Sequence, residues 1–349
     1  MYLAIVATAL SFFCLTTPAQ ETFKEHHIVL PLPSRTVYQF PNPTWIENLA
    51  VRSNGQLLLN VLSTPDLYLL DPLVEDSDPY LLYTFPDTLG LLGITEMQDD
   101  VFYILSGNFS LATGNTGPGT YAVWKVDLTS YSLGKPWDPK SAISKVVDMP
   151  EAKLLNSLIP LKKSATGGIV LISDSYLGAV WQLDVSTGEY SILLAFPEMT
   201  FPADAKLPIG INGLRLRGDW LYWANSEQNT FCRVKIDSEG QAISAVETLV
   251  SNVTFIDDFA FDRQGNAWVA LDPSSELGVI RPGQDDVIIV LGSSSPFTVA
   301  GPTSVQFGRA CGDTETLYVV TNGGLANPVN GTITVGAQVL AVGTGGFYG

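Results

Sequence analysis

The chain of 349 residues is poor in cysteine, histidine and basic side chains. Its 18 Lys and Arg stand against 35 Asp and Glu, which gives a formal net charge of −17 at pH 7. Because nucleic acids and anionic membrane surfaces attract clustered positive charge, the absence of a basic run argues against both as partners. Three cysteines are too few for a disulfide framework. We expect Cys232 and Cys311 to be two separate buried thiols, while an oxidising compartment would allow one bridge between them.

Long apolar segments are also missing, except at the N-terminus. Residues 1–19 carry no charge, have the length of a signal peptide and end on small residues, which suits cleavage before Gln20. The segment is too short to span a membrane. We therefore predict a signal peptide over residues 1–19, a single domain over residues 20–349 and a secreted protein. Three N-glycosylation sequons, which agree with export, begin at Asn108, Asn252 and Asn330.

A repeat sets the architecture. A polar residue, an apolar strand, a turn rich in Gly, Asn or Asp, a second apolar strand, a polar loop and a third strand recur in one order. The copies begin at intervals of 45 to 63 residues, at Glu47, Gly93, Asn156, Asn212, Asp257 and Pro302. Such a period is typical of propellers, and no segment shows a sustained helical period. We predict an all-β, six-bladed β-propeller with four-stranded antiparallel blades, whose ring is closed by an N-terminal strand at residues 36–40.

The first strand of every blade lines the central channel. Polar side chains at the starts of these six strands should therefore lie close together. The six equivalent positions are Glu47, a position near Thr95, Asn156, Asn212, Asp257 and a position near Thr303. Taken alone, the Asp257-Asp258 pair is more typical of a solvated turn. Carboxylates that converge in a channel repel unless a cation lies between them, so the repeat favours a divalent metal site.

The chemistry of these side chains indicates which cation would bind. Oxygen ligands suit calcium or magnesium, whereas zinc normally recruits His or Cys. Both histidines, His26 and His27, precede the first blade. We therefore expect Ca²⁺ or Mg²⁺ rather than Zn²⁺, and no motif for an organic cofactor is present.

These motifs resemble the SMP-30/gluconolactonase family of six-bladed propellers. The matching pieces are IENLAV around Glu47, LNSL around Asn156, INGLRL around Asn212, IDDFAFDRQGNAWVA around Asp257 and SVQFG at residues 304–308. The resemblance implies that Glu47, Asn156, Asn212 and Asp257 bind the cation. It also makes Asp257 the candidate general base, with Glu47 as a second catalytic carboxylate. Ser157 and Asp258 depart from the family pattern, which leaves the substrate open.

Further side chains are candidates for binding a substrate at the channel mouth. These are Trp45, Phe255, Asp258 and Glu96. The aromatic residues near the starts and ends of the inner strands, Trp45 and Phe255 among them, are in general more typical of the blade core. Arg215, Arg217 and Arg263 lie in polar phases or turns, and we expect them on the surface.

Three functions remain open from the sequence. The first blade, ENLAVRSNGQLLL, and the signal peptide resemble secreted fungal family members that include hetero-Diels-Alderases. That resemblance implies cyclisation of a tropolone quinone methide with a sesquiterpene such as humulene in an apolar pocket, and the low charged content fits this. The alternative is a metal-dependent lactonase. The third reading is a propeller that binds without catalysis.

Overall fold

The computed structural model describes residues 28–292 and 295–347, which form a ring of six four-stranded antiparallel sheets. The predicted signal peptide, His26 and His27 lie outside the described residues. The Val-, Ile- and Leu-rich segments form the strands, and Gly, Asn and Asp occupy the turns between them. The prediction of a six-bladed β-propeller is confirmed.

Blades 1 to 3 each use four consecutive strands, numbered outward from the channel. Blade 1 contains β2 (Ile46–Val51), β3 (Leu57–Val61), β4 (Asp66–Leu70) and β5 (Tyr80–Thr84). Blade 2 contains β6 (Gly90–Gln98), β7 (Val101–Gly107), β8 (Tyr121–Asp127) and β9 (Ile143–Met149). Blade 3 contains β10 (Leu155–Ser164), β11 (Gly167–Asp174), β12 (Ala179–Asp184) and β13 (Tyr190–Leu194).

The last three blades include the one that closes the ring. Blade 4 contains β14 (Ile211–Arg217), β15 (Trp220–Asn225), β16 (Thr230–Lys235) and β17 (Glu247–Ser251). Blade 5 contains β18 (Ile256–Phe261), β19 (Ala267–Leu271), β20 (Glu276–Ile280) and β21 (Ile288–Leu291). Blade 6 contains β22 (Pro302–Phe307), β23 (Thr316–Thr321), β24 (Gln338–Gly343) and, as its outer strand, β1 (Ser34–Gln39).

Ring closure follows the prediction, because β1 pairs antiparallel with β24 and brings Thr36 opposite Leu340. Among the described residues, helix is confined to α1 (Pro139–Ala142) and three 3₁₀ turns, Pro197–Met199, Pro296–Val299 and Gly345–Phe347. Within the described ranges, no helix has the length and apolar character needed to cross a membrane.

The core lies between neighbouring blades, where apolar side chains of adjacent sheets pack face to face. Trp223 and Trp268 are fully buried there, as expected of blade-core aromatics. Both described cysteines are free thiols. Cys232 is buried in β16, but Cys311 is exposed in the loop between β22 and β23. The expectation that Cys311 would be buried is wrong, because the apolar strand has ended before it.

One irregularity is shared by all six inner strands. The register between the first and second strands of each blade shifts near the start of the inner strand. The shifts fall between Ile46 and Asn48, Leu91 and Ile94, Leu155 and Leu158, Ile211 and Leu214, Ile256 and Phe259, and Pro302 and Ser304. Such bulges interrupt the ladder and redirect side chains. They fall on the segments that carry the predicted site.

The buried Trp268 tests how the blades hold together. Its ring contacts Phe307 and Phe347, and its Nε1 donates to Asp262 Oδ2 at 2.8 Å. We expect Trp268→Ala to lower the free energy of unfolding by about 3–5 kcal/mol, since it leaves a cavity between blades 5 and 6. Trp220→Ala is the matched control, because this half-buried ring mainly stacks on Arg233. Urea denaturation should show the larger loss for Trp268→Ala, and equal losses would contradict this packing account.

Candidate functional site

At the bulge of each inner strand, one residue directly follows the last residue that is paired before the register shift. These six residues form one ring at one end of the channel. We call this ring the mouth layer, and it contains Glu47, Leu92, Asn156, Asn212, Asp257 and Thr303. Each of these side chains is at most 9% exposed. All four predicted cation ligands belong to it. They lie within the inner strands rather than before them, because the strands begin one residue earlier than the sequence pattern indicated.

The second blade departs from the sequence prediction. Its inner strand β6 begins at Gly90, so the register places Leu92, not a residue near Thr95, in the mouth layer. Thr95 lies three residues farther along, or about 10 Å at 3.3 Å per residue. The polar residues of this copy come only after Gly93, so the repeat pattern indicates a later start than the strand has. The sixth position, predicted near Thr303, is Thr303 itself, whose Oγ1 donates to the Ile46 carbonyl at 2.6 Å.

Asp257 and Asn212 contact each other directly. The amide Nδ2 of Asn212 donates to Asp257 Oδ1 at 2.7 Å and to Ser226 Oγ at 3.0 Å. The Oδ1 of Asn212 is buried and has no hydrogen-bond partner among the described residues. An unpaired buried acceptor is unfavourable by about 1–3 kcal/mol, so this oxygen is suited to a ligand that donates a hydrogen bond or to a cation.

Trp45 holds Glu47 in place. The indole Nε1 donates to Glu47 Oε2 at 2.5 Å, while the ring itself is half-buried. The predicted substrate-binding residue Trp45 therefore lies beside a predicted catalytic carboxylate. Phe255 precedes Asp257 by two residues, is also half-buried, and has the left-handed backbone conformation at φ +41°. Its N–H donates to Asn229 Oδ1 at 3.0 Å, which fixes the entry into β18.

A third buried carboxylate, Asp272, was missed by sequence reasoning. It directly follows β19, and second strands end at the face of the ring where first strands begin. Both of its oxygens accept from Asn322 Nδ2, at 2.8 and 2.9 Å. The sequence does carry a signal, because polar residues stand at the ends of several second strands, namely Asp174, Asn225, Asp272 and Asn322.

Burial and mutual repulsion disfavour ionisation of these acids. Burial raises the pKa of Glu47 to about 7. The hydrogen bond from Trp45 lowers this pKa, whereas the charges of Asp272 and Asp258 raise it further. Burial likewise raises the pKa of Asp272 to about 7, and the Asn322 hydrogen bond opposes this rise. The pKa of Asp257 is raised well above its ordinary value by burial and then by the charges of Glu47, Asp272 and Asp258. Near neutral pH the cluster therefore retains protons unless a cation compensates its charge.

Asp258 has a different role from its neighbour. Its Oδ2 accepts from Arg215 Nη2 and Ser304 Oγ, both at 2.7 Å, and from Asn48 Nδ2 at 3.3 Å. We call these four side chains the Asp258 plug. Gly213 leaves room for it, since a Cβ there would lie 2.5 Å from Asp258 Oδ1. The structure places Asp258 one residue beyond the mouth layer, with its charge already paired.

Two other predictions about position are not met. Arg215 was expected on the surface, but its side chain is only 15% exposed because it turns inward to pair with Asp258. Glu96 was expected beside the mouth, but it lies four residues past Leu92 on β6, or about 13 Å along the strand. There it pairs with Arg309 and accepts from the Asp100 N–H. The structure does not bring Glu96 to the mouth layer.

The predicted glycosylation sites differ in exposure. Asn252 and Asn330 are exposed in turns with φ of +62° and +53°. Asn108 is half-buried, and its Oδ1 accepts from the Leu89 N–H at 3.0 Å. Glycosylation at the three sequons stays a prediction.

The fit to a divalent cation rests on the donor set. Over residues 28–292 and 295–347, no group of three or more His, Cys, Asp or Glu side chains is arranged to hold a metal ion. The four predicted ligands are instead two carboxylates and two amides, a set of hard oxygen donors that Ca²⁺ or Mg²⁺ prefers. The unpaired, buried Oδ1 of Asn212 supports that fit.

Comparison with solved structures identifies the class of propeller to which this fold belongs. No protein-family model matches the chain. Regucalcin from Agrobacterium tumefaciens, a calcium-binding protein, superposes with a TM-score of 0.60 at 14% identity, over 91% of this chain and 96% of its own. A gluconolactonase from Xanthomonas campestris gives 0.55 at 13% identity, over 89% of each chain. The fold is thus the regucalcin- and gluconolactonase-like six-bladed propeller, as the sequence motifs indicated.

Sequence relatives define the family within that class. A Phoma protein named "Putative hetero-Diels-Alderase" is 30% identical over 343 residues, which cover 91% of this chain and 92% of the relative. "Putative hetero-Diels-Alderase asR5" of Sarocladium schorii is 31% identical over 353 residues, which cover 91% and 85%. The chain belongs to the family of these two proteins.

The buried acids predict how stability depends on pH. Carboxyls in the unfolded chain have a pKa of about 4, whereas burial raises the pKa of Glu47 and Asp272 in the folded protein to about 7. Their contribution to stability is therefore complete below about pH 4 and is lost as pH rises through 7. Without divalent cations, we expect Glu47→Gln and Asp272→Asn to gain melting temperature relative to wild type as pH increases from 5 to 8, by several degrees.

The measurement is differential scanning fluorimetry across that pH range. Excess Ca²⁺ is the control, since a cation bound by wild type would offset the repulsion between its carboxylates and remove the variants' gain. Parallel curves for wild type and both variants without cation would contradict the raised pKa values.

Proposed function

We propose that the protein catalyses a hetero-Diels-Alder cyclisation and that the mouth layer is its catalytic site. The observation that carries the proposal is the pair of buried carboxyls, Glu47 and Asp257, whose raised pKa values keep acid available near neutral pH. The names of the two sequence relatives support the reaction class. As in the sequence analysis, the proposed reactants are a tropolone quinone methide and a sesquiterpene such as humulene.

The proposed first step is loss of water from a hydroxymethyl precursor. A protonated carboxyl donates its proton to the leaving hydroxyl, the carbon–oxygen bond breaks and one water departs. The ring hydroxyl then gives up its proton to a carboxylate, so the protein regains the proton it supplied. A general acid with a pKa near the working pH suits this exchange, and such catalysis contributes about 10²–10⁴-fold. Glu47, held by Trp45, and Asp257, held by Asn212, are the proposed acids, and the carboxylate left by the donated proton serves as the base.

The proposed second step needs orientation rather than further proton transfer. The oxygen and terminal carbon of the diene add to the alkene, forming one carbon–oxygen and one carbon–carbon bond without loss of atoms. Holding both reactants in contact lowers the entropic barrier, and an apolar wall excludes water. Trp45, whose indole contacts Glu47, and Phe255, two residues before Asp257 in the chain, are partly exposed aromatic residues, and we assign them this wall.

A second candidate function is metal-dependent lactone hydrolysis, favoured by the unpaired Oδ1 of Asn212. A divalent cation held by Glu47, Asn156, Asn212 and Asp257 would polarise an ester carbonyl when bound. In that reaction Asp257 would act as base, and it would need to be ionised.

Substitutions at the carboxyls test the site. We expect Asp257→Asn and Glu47→Gln each to lower kcat at least about 100-fold, because the amides cannot exchange the proton. Asp313→Asn is the matched control, since Asp313 is also a buried carboxylate but lies in the loop between β22 and β23 and contacts Tyr318. Product formation from the hydroxymethyl precursor and humulene would be followed by mass spectrometry. Wild-type turnover in both site variants would refute the assignment.

Chelation separates the two candidate functions. A cyclase that uses protonated carboxyls should retain activity after exhaustive EDTA treatment and should lose it as pH rises above 7. A metal-dependent lactonase should lose hydrolysis of simple lactones with EDTA and regain it with Ca²⁺ or Mg²⁺. Loss of cyclisation on chelation, with recovery on addition of cation, would overturn the acid mechanism.

A further inference from the structure

We propose that the end of the channel opposite the mouth is a second binding site, for a small, uncharged and mainly apolar molecule with an oxygen acceptor. A cavity of about 310 Å³ lies there between the inner strands of blades 2, 3, 4 and 6. We call it the far chamber. Its volume is at the lower end of the range for small-molecule pockets.

The far chamber is separate from the mouth layer. Its lining residues Thr95, Arg215 and Gln306 each lie three positions beyond the mouth-layer residue of their strand, or about 10 Å along the channel. The Asp258 plug stands between the two, because the carboxylate of Asp258 gathers side chains from β2, β14 and β22. A molecule in the far chamber would thus not contact Glu47 or Asp257.

Apolar side chains form one part of the walls of the far chamber, alongside its polar residues. Leu158, Ile159, Pro160 and Leu216 contribute to them, from β10 and β14. Apolar walls of this kind stabilise a bound hydrocarbon body by removing its surface from water, at about 25 cal/mol per Å². A few polar groups would then fix its orientation.

Arg215 supplies the polar contact. Its Nη1 donates to the Leu214 carbonyl at 2.8 Å and contacts Ser157 Oγ at 3.4 Å, and its Nη2 donates to Asp258. The Nε–H makes no hydrogen bond to any residue that the structure describes. The same holds for the side chains of Thr95 and Gln306. The chamber therefore offers hydrogen-bond donors beside its apolar walls.

Charge selects a neutral ligand. The positive charge of Arg215 is already compensated by Asp258 at 2.7 Å, so an anion would gain little from it. The net charge of −17 also repels anions. No carboxylate lines the chamber, so a metal cation would find no negatively charged ligand there and would face Arg215. A ketone, ether or alcohol with a compact hydrocarbon body fits this combination of walls and donors.

Binding of cyclodecanone, followed by ligand-observed NMR titration, tests the proposal. Leu216→Trp and Gln306→Trp should each weaken binding at least tenfold, because the indole would fill the chamber from a different strand in each case. Ile192→Trp, an exposed position on the outer strand β13, is the matched control and should bind as wild type. Trp45→Ala should also leave binding unchanged, since it alters only the mouth.

Two results would overturn the proposal. One is the absence of saturable cyclodecanone binding to the wild-type protein. The other is binding that both chamber-filling variants retain, or that Trp45→Ala removes instead. The readout is binding rather than turnover. A negative result would therefore overturn the proposed ligand site without bearing on the proposed reaction.

Discussion

Burial of three carboxyl groups at one end of the channel is the constraint on which the site depends. Bulges near the start of the inner strands let Glu47 and Asp257 turn inward, and Asp272 comes from the end of a second strand. Isolated buried carboxylates are unfavourable, so the cluster must hold protons, bind a cation or do both at different pH. The contacts from Trp45 and Asn212 orient the acids without neutralising them.

The adjacent acids Asp257 and Asp258 show how one residue step along a channel strand changes chemistry. Asp257 keeps a raised pKa and is available for proton exchange. Asp258 is instead compensated by Arg215 and hydrogen-bonded to Ser304, and it stands between the mouth layer and the far chamber. The ring thereby gains two chemically different ends, a carboxyl-rich mouth and a far chamber with apolar and uncharged polar walls beside Arg215, without any change in the repeating blade. A substrate and a second ligand could bind on one axis without contact.

The sequence predicted the ring and the four mouth residues because these follow from a repeat whose copies occupy equivalent places. It did not predict features that depend on register within a blade. Leu92, rather than a residue near Thr95, completes the mouth layer because β6 starts earlier than its polar residues suggest. The sequence could not predict that Arg215 is largely buried, because its partner Asp258 lies on another blade. Asp272 was missed because the repeat singled out only the starts of the first strands, whereas this residue follows a second strand.

The infrared absorption of protonated carboxyl groups would test the central claim most directly. In cation-free protein near pH 6.5, the account predicts a carboxylic acid carbonyl band that weakens in Glu47→Gln and again in Asp257→Asn, and that disappears as pH rises past the pKa values. A spectrum without that band at pH 6.5, identical in wild type and both variants, would show that the mouth carboxyls are ionised. The acid chemistry assigned to them would then be untenable.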